Sequence, residues 1–320
     1  MDVRSSQELV HRLSFDVKWP PGHVACYLIE GPEPILVDAA APGRTEAFRD
    51  ALATYGYGPG DIEHLLVTHP HVDHIGEVPT VLEASDPTVY APVGVKSRFD
   101  RPADTLEARV RRNCREAGFS GETLETAVGR AVESLERNLE LLAPGSVDVW
   151  IEPGERLSVG SLDVEGVHLP GHQADHLSYR TDIDGDRVLL AGDMGIEPFR
   201  PIVLHEGLDD GYRDAFSAFY GALDRMAELE VDVVYPGHGP VHGDLDWVVD
   251  RDRSSLDNRL DQVAALVADG HETTPAVAEA VAGDHGSQYL LPEAMGALAH
   301  LEKTGRVTGE SRAGVRRYSR

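Results

Sequence analysis

Short apolar runs, separated by turns rich in glycine and proline, follow one another at the beginning of the chain. Such runs are typical of β-strands, whereas longer stretches with apolar residues every three or four positions are typical of helices. The pattern therefore predicts strands and helices in alternation. The predicted strands cover residues 8–17, 23–29, 35–38, 62–67 and 88–91, and the predicted helices cover residues 44–57 and 77–84.

A charged helical segment, residues 96–143, interrupts this alternation, and Phe119-Ser120-Gly121 divides it into two predicted helices. The second helix has one apolar stripe at steps of three and four residues, formed by Leu124, Val128, Val132, Leu135, Leu139 and Leu142. Such a stripe predicts burial but does not identify the partner. Two interpretations stay open: a lid or substrate-binding insert beside an active site, or a helical hairpin packed on the sheet or on a second subunit.

The strand pattern resumes after Pro144-Gly145. The predicted strands are residues 147–151, 162–168, 177–182, 187–191 and 231–235, with a helix at residues 212–229. Three further helical patterns follow. The second of these begins at Thr274-Pro275, where Thr274 suits the N-cap position. A hairpin pattern at residues 307–318 ends the chain.

The composition allows a sizeable core and gives the chain an unusual charge. Its 320 residues suffice for one large α/β domain and a smaller second one. The net charge is −26, and only three of the basic residues are lysines. Because such a surface repels itself unless salt screens it, we expect a halophilic source. The same charge opposes nucleic-acid binding over most of the surface.

Neither cysteines nor hydrophobic segments indicate secretion or membrane insertion. Cys26 and Cys114 do not make a disulfide framework, and Cys26 lies in an apolar strand pattern typical of a core residue. No apolar stretch of about 20 residues is present, and the first residues lack an apolar signal region. We expect a cytoplasmic protein without membrane contact.

The most informative stretch is the hexapeptide His69-Pro70-His71-Val72-Asp73-His74, which follows a predicted strand. Imidazole and carboxylate groups are the ligands of zinc and similar divalent ions. Strand alternation directs His69 and His71 to one side, whereas Asp73 and His74 on a tight turn can face a second position. One short loop can therefore serve two neighbouring metal ions.

Three later strand ends also present histidine or aspartate, at His172, Asp193 and His238. The hypothesis from this arrangement is that His69, His71 and His172 ligate one metal, that Asp73, His74 and His238 ligate a second, and that Asp193 bridges them. This is the ligand number of a two-metal hydrolytic site that leaves room for a bridging water. Two nearby residues have open interpretations. Asp38 is either a partner that orients a metal-binding histidine or a solvent-facing strand end, and His176 is either such a partner or a packed loop histidine.

The combined pattern resembles the metallo-β-lactamase superfamily. The resemblance rests on His69-x-His71-x-Asp73-His74, Pro170-Gly171-His172, Gly192-Asp193 and Pro236-Gly237-His238-Gly239, and it covers about residues 20–245. It implies an α/β fold, the αββα sandwich, with a dinuclear site at one edge of two packed sheets. Zinc is the usual metal of this family, and iron or manganese are alternatives. The resemblance implies a catalytic domain at residues 1–250 that contains the helical insert 96–143.

Residues 251–320 resemble the winged-helix-like domain of a sub-branch that includes glyoxylase-like hydrolases and an endoribonuclease. This tail is locally basic, with Lys303, Arg306, Arg312, Arg316, Arg317 and Arg320 against Glu310. One interpretation is a contact with an anion or nucleic acid. The favoured interpretation is packing at a subunit or domain interface.

These observations predict a metal-dependent hydrolase that uses a metal-bridging hydroxide on a thioester or ester, with Asp73 and His74 as catalytic residues as well as ligands. The alternatives are an endoribonuclease or phosphodiesterase, a sulfur dioxygenase with one iron ion, and a binding module with a vestigial site, against which the intact ligand set argues. The expected partner is a small-molecule substrate. Nucleic acid is not favoured, and the apolar stripe makes a homodimer plausible.

Overall fold

Two β-sheets form the centre of the computed structural model, which describes residues 6–283 and 290–320. The strands of the first sheet lie side by side in chain order: β1 (Val10–Asp16), β2 (His23–Ile29), β3 (Ile35–Val37), β4 (His64–Leu66), β5 (Thr88–Pro92) and β6 (Val149–Ile151). β1 to β3 pair antiparallel, and β3 to β6 pair in parallel. The strand predicted at residues 8–17 is thus an edge strand.

The second sheet contains β7 (Arg156–Val159), β8 (Leu162–His168), β9 (Leu177–Ile183), β10 (Asp186–Gly192) and β11 (Val233–Pro236). Its spatial order is β11-β10-β9-β8-β7, and only β10 and β11 pair in parallel. The sequence pattern did not predict β7. Because β7 lies at an edge and exposes Arg156 and Ser158, it lacks the apolar run that marks the central strands.

The helices are α1 (Ser6–Leu9), α2 (Thr45–Ala53), α3 (Val72–Ile75), α4 (Val78–Ala84), α5 (Val93–Phe99), α6 (Ala103–Ala117), α7 (Gly121–Leu141), α8 (Ala215–Ala227), α9 (Leu245–Ala268), α10 (Thr274–Ala282) and α11 (Leu291–Lys303). The predicted helical insert consists mainly of α6 and α7, and Phe119-Ser120 lies between the two helices. The helix predicted at residues 44–57 is shorter because Gly56 adopts a left-handed conformation. The N-cap of α10 is Thr273 rather than Thr274.

The central strands are buried on both faces. In β2, Val24, Cys26 and Leu28 belong to the outer apolar layer that also contains residues of α2 and α8. The alternate residues Ala25, Tyr27 and Ile29 face the space between the two sheets. A strand buried on both faces has a continuous apolar sequence, which explains the runs that predicted it. The protein is therefore an αββα sandwich, as the sequence predicts.

Direct hydrogen bonds join the two sheets at one edge. The Tyr179 hydroxyl donates to the Val67 carbonyl at 2.6 Å, and the Tyr27 hydroxyl donates to the Pro236 carbonyl at 2.7 Å. The Leu177 amide donates to the Thr68 carbonyl at 3.0 Å. These bonds bring the loops that follow β4, β8, β10 and β11 close to one another.

The last part of the chain contains α9, α10, α11 and a hairpin of β12 (Thr308–Arg312) and β13 (Val315–Ser319). This element order is the predicted one, and its identity as a winged helix stays a prediction. The boundary predicted at residues 250 and 251 lies within α9, which continues without a break. None of the helices in the described ranges is long and apolar enough to cross a lipid bilayer.

Most basic side chains of residues 303–320 form ion pairs within the chain. The pairs are Lys303–Asp214, Arg306–Asp261, Arg312–Glu310, Arg316–Glu302 and Arg317–Glu272. Four of these pairs join the tail to carboxylates that precede it or lie on α11. These basic side chains thus have carboxylate partners within the chain, and packing at a subunit or domain interface stays a prediction.

Candidate metal centre

The seven predicted ligands lie together where the two sheets meet, and they form two groups. The first group is His69, His71, His172 and Asp193, and the second is Asp73, His74 and His238. Within each group the potential ligand atoms lie within 4.8 Å of one another. Loops after β4, β8, β10 and β11 carry them, so both sheets must be assembled before either group is complete.

The hexapeptide divides its ligands between the two groups because its backbone changes conformation. His71 is extended and precedes the single helical turn of α3, which contains Asp73 and His74. Side chains on a helix turn by about 100° per residue, so the side chains of Asp73 and His74 leave the backbone in directions that an extended strand would not give them. The sequence predicted a tight turn here, and the structure forms it as one turn of helix.

In the first group, three imidazoles converge on one small volume. The Nδ1 atom of His71 lies 3.0 Å from Nε2 of His69 and 3.0 Å from Nε2 of His172. Nitrogen ligands of a tetrahedral zinc ion, with bonds of about 2.0–2.1 Å, lie about 3.3 Å apart. The spacing of these atoms therefore suits a shared divalent ion.

Asp193 connects the two groups. Its Oδ2 atom lies 3.2 Å from Nε2 of His172 and 3.3 Å from Nε2 of His238, and its Oδ1 atom lies 3.0 Å from Nε2 of His74. One carboxylate therefore contacts imidazoles from both groups, as a bridging ligand would. The second group is looser, since Asp73 Oδ2 lies 3.7 Å from Nε2 of His238.

A buried carboxylate, Asp38, orients ligands of both groups. It accepts hydrogen bonds from Nδ1 of His74, from the Thr68 hydroxyl and from the Thr68 amide, each at 2.8 Å. Because the Thr68 hydroxyl donates to Asp38, it can accept from Nδ1 of His69, which lies 3.0 Å away. Asp38 is only 3% exposed, so the interpretation as an orienting partner applies and that of a solvent-facing strand end is wrong.

We expect the substitution Asp38→Asn to weaken metal binding by about 10- to 100-fold, the usual effect of losing a partner that orients a metal-binding histidine. The Thr68 hydroxyl and His74 share Oδ2 of Asp38, whereas the Thr68 amide donates to Oδ1, so an asparagine with one acceptor oxygen cannot accept all three hydrogen bonds. Competition with a zinc chelator measures the affinity. Asp182→Asn, at an exposed position on β9, is the matched control. Equal affinities in the two variants would show that Asp38 does not orient the ligands.

Further partners hold the remaining ligands. Nδ1 of His172 lies 3.0 Å from the Ile202 carbonyl, and Nδ1 of His238 contacts the His23 carbonyl. The Trp19 indole donates to Asp73 at 3.3 Å. No local pattern in the sequence marks Trp19 or Ile202, because each is distant in sequence from the ligand that it contacts.

His176 orients Asp193 and does not belong to either ligand group. Its Nε2 atom accepts a hydrogen bond from the Asp193 amide at 3.0 Å. Burial lowers the pKa of His176 to about 3, so the ring is neutral and can accept this bond at physiological pH. The contacts of His176 therefore agree with the interpretation as a residue that orients a ligand, rather than with that of a packed loop histidine.

Two glycines are needed because the ligand side chains approach the backbone closely. A Cβ atom at Gly192 would lie 2.6 Å from Nε2 of His176, and one at Gly237 would lie 2.5 Å from Cε1 of His74. Gly192 also has a φ of +55°. Each glycine immediately precedes a ligand, Asp193 or His238, which explains the glycine-ligand pairs in the sequence.

The pKa values of the candidate ligand histidines shift in opposite directions. Burial, together with neighbouring imidazoles, holds the pKa of His69 and of His71 well below the usual value, so both rings are neutral and able to bind a metal. Burial would also lower the pKa of His74, but the carboxylates of Asp193 and Asp38 raise it well above the usual value. Burial opposes ionisation of Asp193, yet His238 and His74 hold the pKa of its carboxyl group well below normal.

Two buried atoms at the centre of the site lack a hydrogen-bond partner of suitable geometry among the described residues. They are Nε2 of His74 and Oδ1 of Asp193. Buried polar atoms are seldom left unpaired, because each costs about 1–3 kcal/mol. Both belong to metal-ligating groups, so a bound cation between them would satisfy them. The residues present therefore fit a metal centre.

Comparisons with known proteins agree with this geometry. The family model described as Metallo-beta-lactamase superfamily matches residues 19–238. The chain is 22% identical over 237 residues to a Beta-lactamase-like protein 2 homolog of Caenorhabditis elegans, covering 74% of this chain and 61% of that protein. It is 26% identical over 215 residues to a hydroxyacylglutathione hydrolase of Methylobacillus flagellatus, covering 66% of this chain and 63% of that protein.

A solved structure shares the fold over nearly the whole chain. It is that of a metallo-beta-lactamase family protein from Thermus thermophilus, with a TM-score of 0.82 and 24% identity, and the match covers 99% of this chain and 100% of that one. The chain spans about three fifths of the length of the two relatives from Caenorhabditis elegans and Methylobacillus flagellatus. These similarities show the fold and leave the substrate to be inferred.

Proposed function

This chain belongs to the metallo-beta-lactamase superfamily, and from that membership we propose that it is a metal-dependent hydrolase of thioesters or esters. The observation that carries the proposal is the position of Asp193, whose carboxylate contacts His172 on one side and His74 and His238 on the other. A carboxylate that lies between two groups of potential ligand side chains suits two adjacent divalent ions. Zinc is the ion that we propose.

In this proposal His69, His71 and His172 hold one ion, Asp73, His74 and His238 hold the other, and Asp193 contacts both. Two bound ions would lower the pKa of a water molecule to near neutrality and polarise a carbonyl oxygen. The chain itself supplies the positioning. Asp38 and Thr68 fix His69 and His74, and His176 fixes the backbone at Asp193.

We assign catalytic roles to Asp73 and His74 in addition to ligand roles. Asp73 lies where Trp19 donates to its Oδ2 atom, which restrains the carboxylate while leaving Oδ1 for a proton. Nδ1 of His74 donates to Asp38, which fixes the orientation of the ring and leaves Nε2, 3.0 Å from Oδ1 of Asp193, available as a ligand. Neither role needs a serine or cysteine nucleophile, and Cys26, the cysteine in β2, is fully buried.

The choice of thioesters and esters is supported by the resemblance to the hydroxyacylglutathione hydrolase, a protein named for hydrolysis of an acyl derivative of glutathione. It is also supported by the net charge of −26, which disfavours approach of a polyanion such as RNA.

A substrate panel on protein of measured metal content tests this proposal. We expect about two zinc ions per chain, hydrolysis of acyl thioesters or esters, and no cleavage of single-stranded RNA. Dialysis against a chelator should remove the activity, and added zinc should restore it. The assays are run at low and at molar salt, since the acidic surface predicts better folding at high salt.

Three results would contradict the proposal. Cleavage of RNA with thioesters and esters untouched would indicate a phosphodiesterase. About one iron ion per chain with oxygen uptake would indicate a dioxygenase. Full activity in metal-free protein would exclude the metal centre from the reaction.

A further inference from the structure

A cavity of about 180 Å³ lies between the helical insert and the metal centre. His71 of the first ligand group lines one part of it, and Leu106 and Val110 of α6 line another. α7 contributes Ala131 and Leu135. The insert therefore forms part of the wall of a space that reaches the candidate site, which favours the interpretation of a substrate-binding insert.

The charged groups at this cavity are already paired. Arg98 contacts the carboxylate of Asp175, and Arg101 contacts those of Asp209 and Glu206. Both guanidinium groups that line the cavity therefore have carboxylate partners. Because of this pairing, the described residues of the cavity wall offer no unpaired cationic side chain to bind a carboxylate or phosphate of a ligand.

One polar atom in the wall lacks a partner. Asn138 of α7 lines the cavity, its side chain is 4% exposed, and its Oδ1 atom has no hydrogen-bond partner in the described part of the chain. A buried acceptor of this kind is usually satisfied by a donor. A ligand hydroxyl or amide N–H group that enters the cavity would provide that donor.

We propose that this cavity binds the acyl half of the substrate, and that the acyl group is uncharged, mostly apolar and carries a hydrogen-bond donor. The apolar walls, the paired charges and the free Asn138 oxygen each specify one part of this description. The inference rests on the proposed hydrolase function, and it names the substrate class for the same site. A cavity of about 150 Å³ holds a benzene molecule, so this one accommodates about six to eight non-hydrogen atoms.

Esters with one leaving group and different acyl groups test the inference. The series is p-nitrophenyl acetate, hexanoate, decanoate, 6-hydroxyhexanoate and the monoester of adipate. We expect kcat/KM to rise by at least about tenfold from acetate to hexanoate and to fall again for decanoate, because each buried methylene contributes to transition-state binding. The 6-hydroxyhexanoate should be preferred over hexanoate, and the adipate monoester should be the poorest of the six-carbon substrates.

Substitutions in α7 test whether the dependence of kcat/KM on the acyl group arises in this cavity. Ala131→Phe fills the cavity and should lower the ratio of kcat/KM for hexanoate to that for acetate by about tenfold. Thr126→Phe introduces the same side chain at an exposed position of α7 and should leave that ratio unchanged. Asn138→Leu removes the acceptor and should abolish the preference for 6-hydroxyhexanoate over hexanoate. Thermal melts confirm that each variant is folded.

Binding of an inert analogue separates this inference from the hydrolase proposal. We expect 6-hydroxyhexanamide to bind the wild-type protein, but not Ala131→Phe, in ligand-observed NMR. If the analogue binds in this way and no ester or thioester is hydrolysed, the function is wrong and the cavity assignment stands. If esters are hydrolysed without dependence on acyl length, or if Ala131→Phe keeps the wild-type ratio, the cavity assignment is overturned.

Discussion

Replacing Asp193 with alanine is expected to abolish turnover and to reduce the bound metal. Its carboxylate contacts His172, His74 and His238, so its loss removes a contact with both groups at once and, in the proposed centre, a ligand of both ions. Charge stabilisation by a bound metal contributes several kcal/mol to the transition state, so kcat/KM should fall by at least about 10³-fold. Substitution of a residue that serves one group alone should lower metal content less.

His71→Ala provides that comparison. His71 belongs to the first group alone, where it contacts His69 and His172. We therefore expect it to lose activity as well, with about one metal ion retained per chain. Elemental analysis of the purified variants gives the metal content, and circular dichroism shows whether each is folded. Retained metal with full activity in the Asp193→Ala variant would refute the ligand assignment.

The residues of the candidate metal centre could be predicted from the sequence because each of them sits in a recognisable local pattern. His69, His71, Asp73 and His74 follow an apolar strand within one hexapeptide, and Asp193 and His238 each follow a glycine. The structure explains these glycines, since the side chains of His74 and His176 occupy the space that a Cβ atom would need. The local pattern is thus a direct result of crowding at the metal centre.

Residues that orient the ligands could not be predicted with the same certainty. Trp19 contacts Asp73 from 54 positions away, and it lies in a turn that looks like an ordinary connection. Thr68 precedes His69 but resembles any polar residue at a strand end. Their roles depend on contacts between distant segments, which periodicity and spacing do not encode.

The sequence pattern also could not identify the surface against which the insert packs. The apolar stripe of α7 predicted burial, and Leu124, Val128 and Leu135 are indeed buried. The same periodicity would arise on a helix that packs against any apolar surface. The contacts of Arg98 with Asp175 and of Arg101 with Glu206 and Asp209 show that the insert is held against the loops beside the candidate metal centre.

Glu293 attaches the C-terminal part of the chain to residues 200–203, in the loop that follows β10. Among the proposed substitutions, we expect Glu293→Ala to lower the free energy of unfolding most. Glu293 lies at the start of α11 and is 2% exposed. It accepts two hydrogen bonds from Arg200, one from Arg259 and one from the Val203 amide. Its removal would leave the buried guanidinium of Arg200 unpaired, which typically costs about 3–5 kcal/mol.

A second ion pair on α11 is the matched control. Glu302 pairs with Arg316, but these side chains are 25% and 34% exposed. Exposed pairs contribute about 0–1 kcal/mol, so Glu302→Ala should change the free energy of unfolding much less than Glu293→Ala. Urea titration measures both. Equal losses in the two variants would show that Glu293 makes no special contribution.

The effect of Glu293 should reach the metal centre through residues 200–203. The Val203 amide donates to Glu293, and the neighbouring Ile202 carbonyl accepts from Nδ1 of His172. When the carboxylate is absent, this segment loses a support, and His172 loses part of its orientation. We therefore expect Glu293→Gln to weaken metal binding by about tenfold, whereas Glu302→Gln should leave it unchanged.

The pH dependence of the free energy of unfolding shows whether Glu293 stabilises the protein through its charge or through its packing. Burial opposes ionisation, but Arg200 and Arg259 lower the pKa of its carboxyl group below the usual value. The stabilisation is therefore fully present above the pKa of about 4.3 that glutamate has in the unfolded chain, and it is lost as the pH falls through the lower folded-state pKa. Accordingly, the wild-type protein and Glu293→Gln should differ most in free energy of unfolding at neutral pH and converge below about pH 4. A difference that stays constant across this range would indicate that glutamine disturbs the packing and that the charge of Glu293 contributes nothing.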